Sequence, residues 1–225
     1  MGDSNEKNRI ARIYESLERA IPDSKPLLNF SGPFQLLVSV ILSAQTTDAQ
    51  VNTITPELFR RYPDAKALAK APIEELEQLV HSTGFYHMKA KNIRGAAAYI
   101  HEELDDTVPD TIEELVRIPG VGRKSANVIV GALFGKPAII VDTHFRRVVT
   151  RLELTSFENP EKIERDIGAK VPEEIQYEFS MLINRHGRIW CRSRSPLCRE
   201  CPIRSMCPFP GKNASRDKDA ELERA

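Results

Sequence analysis

Ten consecutive residues, Phe34-Gln-Leu-Leu-Val-Ser-Val-Ile-Leu-Ser43, are apolar on almost every side. A helix of that kind is stable in water only when other elements surround it, so the segment predicts a buried helix at the centre of a core. Its neighbours are helical by pattern as well. Ile10, Ile13, Tyr14 and Leu17 recur on one helix face, which predicts an amphipathic helix over 6–20, ended by Pro22 and Pro26. Further helices fit the spacing at 48–62 (with Asp48 as N-cap), 64–70, 73–81 and 87–103, with a loop at 83–86. Thr111 and Glu114 have the form of a capping box that opens a short helix. Helices at 123–134, 143–152, 160–169 and 173–187 complete the pattern. The β-branched run 138–141 is too short for a sheet of its own. The expected fold class is all-α with two helical lobes. Residues 213–225 are charged and nearly free of large apolar side chains, which predicts a disordered tail.

Composition narrows the function. The chain of 225 residues is 41% hydrophobic, enough for an ordinary globular core. No window approaches the ~18 uninterrupted apolar residues of a membrane span. The polar stretch at 1–8 lacks the apolar segment of a secretory leader. The expected location is intracellular, in cytoplasm and nucleoid, with no membrane partner. The formal net charge is zero, but it is unevenly placed. Residues 1–115 hold 12 Lys and Arg against 18 Asp and Glu, whereas residues 116–212 hold 17 against 10. Within 185–212 the ratio is 7 to 1. A positive surface formed by 117–124 and 185–204 is therefore expected, suited to a polyanion or simply solvated.

The most informative stretch is 115–128. Pro119 fixes one backbone angle, and Gly120 and Gly122 permit positive φ and close approach by a ligand. The turn feeds directly into a helix N-terminus, whose N–H groups and dipole favour an anion. Such a turn cradles a DNA phosphate without reading sequence; as a bare connector it would be a tight helix–turn–helix. Lys124 lies in the first turn of that helix, where its charge opposes the positive helix end. The same field favours the neutral amine, which is the form a lysine nucleophile must take. The helix then runs away for ~18 Å at 1.5 Å per residue, and an extended 136–142 returns about 23 Å at ~3.3 Å each. Asp142 is thus expected beside Lys124. It precedes a helical start, so it also reads as an N-cap, and the two roles are compatible.

All four cysteines, Cys191, Cys198, Cys201 and Cys207, fall within one short loop. A disulfide framework would spread them to close long loops. Clustered thiolates are instead the ligand set of zinc or of an iron–sulfur centre, and spacing alone leaves both open. A metal would organise a loop with little core of its own and stiffen the arginines at 192, 194, 199 and 204 that decorate it.

Taken together and in this order, Leu-Ser-Ala-Gln-Thr-Thr-Asp at 42–48, Ile-Pro-Gly-Val-Gly-Arg-Lys-Ser-Ala-Asn at 118–127, Val-Asp-Thr-His at 141–144 and the Cys-x6-Cys-x2-Cys-x5-Cys loop resemble the endonuclease III family of helix–hairpin–helix DNA glycosylase/AP lyases. The resemblance covers roughly residues 10–210. It implies a six-helix barrel lobe carrying the hairpin over 26–136 and a cluster lobe made of 1–25 and 137–212, with the active cleft between them. It favours a [4Fe-4S] cluster on the four cysteines over zinc. It makes Lys124 and Asp142 the catalytic pair and Ile118, Gly120, Val121, Gly122 and Arg123 the DNA-binding hairpin. Gln45 and Phe85 match the gap-filling and wedging positions, although leucine is the family's common choice at the latter; a core aromatic is the alternative for Phe85, and Tyr86 beside it could play either part. Asp48 and His144 fall near the site. The implied reaction removes an oxidised pyrimidine through a lysine Schiff base and cuts the strand by β-elimination. The implied partner is double-stranded DNA containing damaged bases or abasic sites, bound by a monomer. The adenine-mismatch branch of these enzymes lacks the lysine, so Lys124 argues against it. A DNA-binding module without catalysis would not need Lys124 and Asp142 together, and an electron-transfer protein would not need the helical bulk.

Overall fold

In the computed structural model, which describes residues 2–22 and 28–209, no strand occurs among those residues and every regular element is helical. Pro26 and the 213–225 tail lie outside them. The α-helices are α1 (Gly2–Ala20), α2 (Pro33–Leu42), α3 (Asp48–Arg61), α4 (Ala65–Ala69), α5 (Ile73–Val80), α6 (Tyr86–Glu103), α7 (Ile112–Leu115), α8 (Arg123–Phe134), α9 (Thr143–Arg151), α10 (Pro160–Lys170) and α11 (Gln176–Ile189). None is long and apolar enough to cross a membrane. The chain divides into two compact units, Pro26–Gly135, and Met1–Lys25 together with Lys136–Ala225.

In the first unit, α2 is the central rod. Leu36, Leu37, Val38, Ser39, Val40, Ile41 and Leu42 are all buried, as an apolar helix requires. It packs on α6 and α8, while α4 and α5 cover α6 elsewhere. Each buried leucine or isoleucine contributes about 1.5–3 kcal/mol relative to exposure. The described residues of this unit form seven α-helices and one 3₁₀ turn, His81–Thr83, and the capping-box turn itself closes as the four-residue α7. Thr111 Oγ1 accepts from the Glu114 amide at 3.3 Å and donates to the Glu114 carboxylate at 2.6 Å, so that box closes through its two side chains.

The second unit packs Ile10, Ile13 and Leu17 of α1 against Phe145, Val148 and Val149 of α9, Ile163 and Ile167 of α10, and Phe179, Leu182 and Ile183 of α11. Phe145 and Phe179 meet edge to face, with centroids 6.3 Å apart. The β-branched run 138–140 is buried and forms no strand. One side chain holds it instead: Ser180 Oγ accepts from the Ile140 amide at 3.1 Å and donates to the Gln176 carbonyl at 2.8 Å.

Several boundaries differ from the sequence expectation, three of them as follows. Helix α1 begins at Gly2 rather than at 6. Thr47, not Asp48, is the N-cap of α3: its side chain accepts from the Gln50 amide at 3.2 Å, and Asp48 becomes the first helical residue, where its charge suits the helix dipole. The segment expected as one helix over 173–187 is a 3₁₀ turn, Glu173–Ile175, followed by α11, because Ile175 (φ −114°, ψ 2°) breaks the helical backbone.

Candidate active site and nucleic-acid interface

In the unit Pro26–Gly135, the hairpin joins α7 to α8. Gly120 has φ +81°, and a Cβ on it would stand 2.8 Å from the Asn92 Cβ of α6, so both conformation and packing demand glycine. Gly122 differs from expectation. Its backbone is extended (φ −92°, ψ 173°), and nothing lies within 4 Å of where its Cβ would be, so its lack of a side chain leaves the entrance to α8 open. No side chain caps α8. Ile118 and Val121 are buried, and the Val121 amide is spent on the Ile118 carbonyl at 3.0 Å. Their side chains therefore hold the hairpin to the core, while Gly120, Gly122 and Arg123 are exposed. Lys124 is exposed in the first turn of α8.

Two further loops of this unit carry Gln45 and Phe85. Both residues sit in the left-handed region, at φ 55° and 50°. For side chains other than glycine this costs on the order of 1–2 kcal/mol each. Both are exposed, Phe85 by 67%, which removes the core-aromatic alternative. Tyr86 is half-buried, with its ring centroid 4.5 and 4.1 Å from the tilted rings of His81 and His87, so of the two aromatics Phe85 is the projecting one. Met88, 59% exposed, stands one turn further along α6. The loops are tied together by Thr46 Oγ1 donating to the Thr83 carbonyl and by Gln50 Nε2 donating to Ser82 Oγ, each at 2.8 Å. Asp48 is half-buried at the head of α3.

In the other unit, Asp142 is the N-cap of α9. Its Oδ1 accepts from the Phe145 amide at 2.7 Å, and its Oδ2 accepts from Asn184 Nδ2. Asn184 Oδ1 in turn accepts from Arg188 Nε at 2.9 Å, which fixes the asparagine's orientation and hence the carboxylate's. His144 Nδ1 lies 3.0 Å from Arg147 Nη2; a guanidinium only donates, so Nδ1 accepts and the neutral ring carries its proton on Nε2. Burial pushes the His144 pKa down, against the pull of Asp142.

Helix α11 reaches α9 this closely because of Gly187, whose Cβ would lie 3.0 Å from the His144 Cβ and 3.2 Å from Val148 Cγ2. Gly187→Ala is expected to push α11 away from Asp142 and to lower stability by about 1–3 kcal/mol. Urea denaturation, with base release followed in parallel, measures both effects.

The four cysteines are free and half-buried, and all four line one cavity with His186, Trp190 and Ile203. Among the described residues no three His, Cys, Asp or Glu groups converge as the ligands of a single metal ion do. Four sulfurs around one cavity are a donor set that suits zinc or an iron–sulfur centre. Burial pushes the Cys201 thiol up to about 11 and raises that of Cys198, so a metal centre must draw these sulfurs into the thiolate form. His186 Nε2 is 3.2 Å from Cys201 Sγ, and burial pushes this imidazole down to about 4.

The loop's backbone is held by three arginines that sequence reading passed over. Arg9 donates to the carbonyls of Met206 and Leu152. Arg147 donates to those of Cys191 and Gly187, at 3.0 and 2.9 Å. Arg151 donates to Cys191 Sγ at 3.3 Å and to the carbonyls of Arg192 and Ser193 at 2.8 and 3.1 Å. Arg192, Arg194 and Arg199 are exposed on the loop's outside, and Arg204 is half-buried.

Residues 38–173 match the family described as HhH-GPD superfamily base excision DNA repair protein. Endonuclease III of Synechocystis sp. is 47% identical over 206 residues, covering 91% of this chain and 94% of that protein. Endonuclease III of Bacillus subtilis is 42% identical over 207 residues, covering 90% and 92%. A solved structure of a non-covalent endonuclease III–DNA complex superposes with a TM-score of 0.87 at 37% identity, covering 93% of this chain and 98% of the other. The chain belongs to the HhH-GPD superfamily and, within it, to the endonuclease III family of base excision repair DNA glycosylases with AP lyase activity.

Proposed function

We propose that this enzyme removes oxidised pyrimidines from double-stranded DNA and nicks the strand at the abasic site, with Lys124 as nucleophile and Asp142 as its carboxylate partner. The observation that carries the reading is Lys124 itself: an exposed amine in the first turn of α8, at the end of a glycine hairpin and on a helix start that no side chain caps. That position supplies an anion site beside the amine. Gly120, Gly122 and Arg123 hold a phosphate there, while Ile118 and Val121 keep the hairpin's shape. Phe85 wedges into the stack and Gln45 fills the gap left by the extruded nucleotide. Asp48 and His144 support the site from the head of α3 and the first turn of α9.

The chemistry balances on side chains and water. Lys124 Nζ attacks C1′; the C1′–N bond breaks and the base leaves with the electron pair and takes up a proton. Asp142 stabilises the positive charge that develops on the sugar. The ring opens to an imine between Nζ and C1′. Loss of a C2′ proton then expels the 3′ phosphate, and water releases the enzyme. The cysteines at 191, 198, 201 and 207 hold a [4Fe-4S] cluster, which supplies a rigid loop that presents Arg192, Arg194 and Arg199 to phosphates. The unit Pro26–Gly135 is the hairpin lobe and the other is the cluster lobe. The enzyme works as a monomer on damaged bases or abasic sites, inside the cell where the DNA is.

Borohydride added to wild-type protein and a thymine-glycol duplex tests this: a covalent protein–DNA adduct is expected, and its absence removes the imine mechanism. Iron analysis at about four atoms per chain, with visible absorbance, tests the cluster; stoichiometric zinc instead would overturn it.

A further inference from the structure

The Thr83 carbonyl is a junction. Thr46 Oγ1 and Lys89 Nζ both donate to it, each at 2.8 Å. Thr83 is 2% exposed, and its own hydroxyl is turned to the Val80 carbonyl at 2.7 Å, so two side chains from elsewhere in the unit take the carbonyl's two lone pairs. One donor stands a single residue past Gln45, and the acceptor stands two residues before Phe85. Gln45 and Phe85 are both left-handed and exposed.

Lys89 is 4% exposed. Burying an ammonium is costly, and burial pushes this one's pKa down. A methionine would fill the same space without that cost. What the ammonium adds is a charge-assisted hydrogen bond to this carbonyl. A slack loop would let residues 45 and 85 relax out of the left-handed region and swing their side chains away. A gripped loop has that ordering in place before DNA arrives.

We propose that Lys89 and Thr46 are positioning residues which, by gripping the Thr83 carbonyl from two sides, hold Gln45 and Phe85 in the conformation that enters the duplex as a pair. The inference rests on the assignment of Gln45 and Phe85 made above.

Lys89→Met and Thr46→Val remove the two donors with little change of volume, and Thr46→Ser restores one. The reporters are single-turnover base release from a paired thymine-glycol duplex and fluorescence of a 2-aminopurine beside the lesion. Lys89→Met and Thr46→Val are each expected to slow release about tenfold and to shrink the fluorescence rise, with Thr46→Ser within about twofold of wild type, well short of the ~10²-fold that an ångström of misplacement can cost. The double variant is expected to be no slower than the product of the singles, because both act on one carbonyl. Placing the lesion in a mispair, which lowers the cost of extrusion, is expected to close most of the gap.

Wild-type rates in Lys89→Met and Thr46→Val, or an equal loss on paired and mispaired lesions, would overturn the proposal. Should Lys89→Met fail to fold, Thr46→Val against Thr46→Ser carries the same comparison. Phe85→Ala and Gln45→Ala run alongside. Wild-type rates in those two remove the assignment of residues 45 and 85 and the clamp with it. Slow release there with wild-type rates in Lys89→Met and Thr46→Val removes the clamp alone.

Discussion

Lys124→Ala is expected to give no borohydride-trapped complex and to lower base release by at least ~10⁴-fold, the scale on which enzymes lose rate when a nucleophile is deleted. Its effect on stability runs the other way. The side chain is exposed, and its charge lies at the positive end of α8, so its removal is expected to leave stability unchanged or raise it by about 0.3–1 kcal/mol. Affinity for undamaged duplex is expected to fall only slightly, with the salt dependence reduced by no more than about one phosphate contact. Loss of chemistry with stability kept and binding nearly kept is the signature of a residue that the fold does not need. A trapped adduct that persists in Lys124→Ala would move the nucleophile elsewhere.

Asp142→Asn is the second large effect, and here fold and chemistry do not separate. Asparagine caps helices as well as aspartate does, so the contact to the Phe145 amide survives. The contact to Asn184 does not. Arg188 holds the Asn184 carbonyl oxygen, so the Asn184 amide nitrogen must point at residue 142, where it would now meet a second amide nitrogen. One side chain must turn and lose a partner, at a cost of about 1–3 kcal/mol. The lost negative charge is expected to slow base release about 10²–10³-fold, the range reported by deleting one group that stabilises transition-state charge. On a ready-made abasic site the loss is expected to be smaller, because no glycosidic bond then has to break. Single-turnover rates on both substrates and a urea titration distinguish these terms. Equal loss on both substrates would remove the assigned role for the carboxylate.

The residues whose meaning was legible in the sequence are those whose signal is local. The apolar rod 34–42 announces its own burial, and Gly120 before Lys124 announces a turn into a helix. The cysteines declare themselves by spacing. Residues that act through distant partners left no such trace. Lys89 reads as a solvated charge on a helix, yet it is buried on the Thr83 carbonyl. Arg9 meets a carbonyl 197 positions away, and Asn184 meets Asp142 across 42. A charged residue in a helical pattern looks outward by default, and only the packed chain shows which carbonyl it serves. The left-handed backbone at Gln45 and Phe85 was hidden for a related reason: neither is a residue that prefers that region, so the surrounding hydrogen bonds impose it.

Helix α6 joins several of these features. Phe85 precedes its first residue, Lys89 lies in its first turn, Asn92 fills the space below Gly120, and Gly95 leaves room for Pro119 at 3.4 Å. These positions fall at steps of four, three and three, along one stripe of the helix. The nine steps from Tyr86 to Gly95 cover about 14 Å at 1.5 Å each. On the roles proposed for the hairpin and for Phe85, a helix so placed would be a measuring rod: with a phosphate seated on the hairpin, the base step that Phe85 reaches would be set by helical rise rather than by loop length. One residue inserted between Lys89 and Asn92 would turn the rod's two ends ~100° out of phase, and the enzyme would grip one stretch of DNA while probing the wrong side of another.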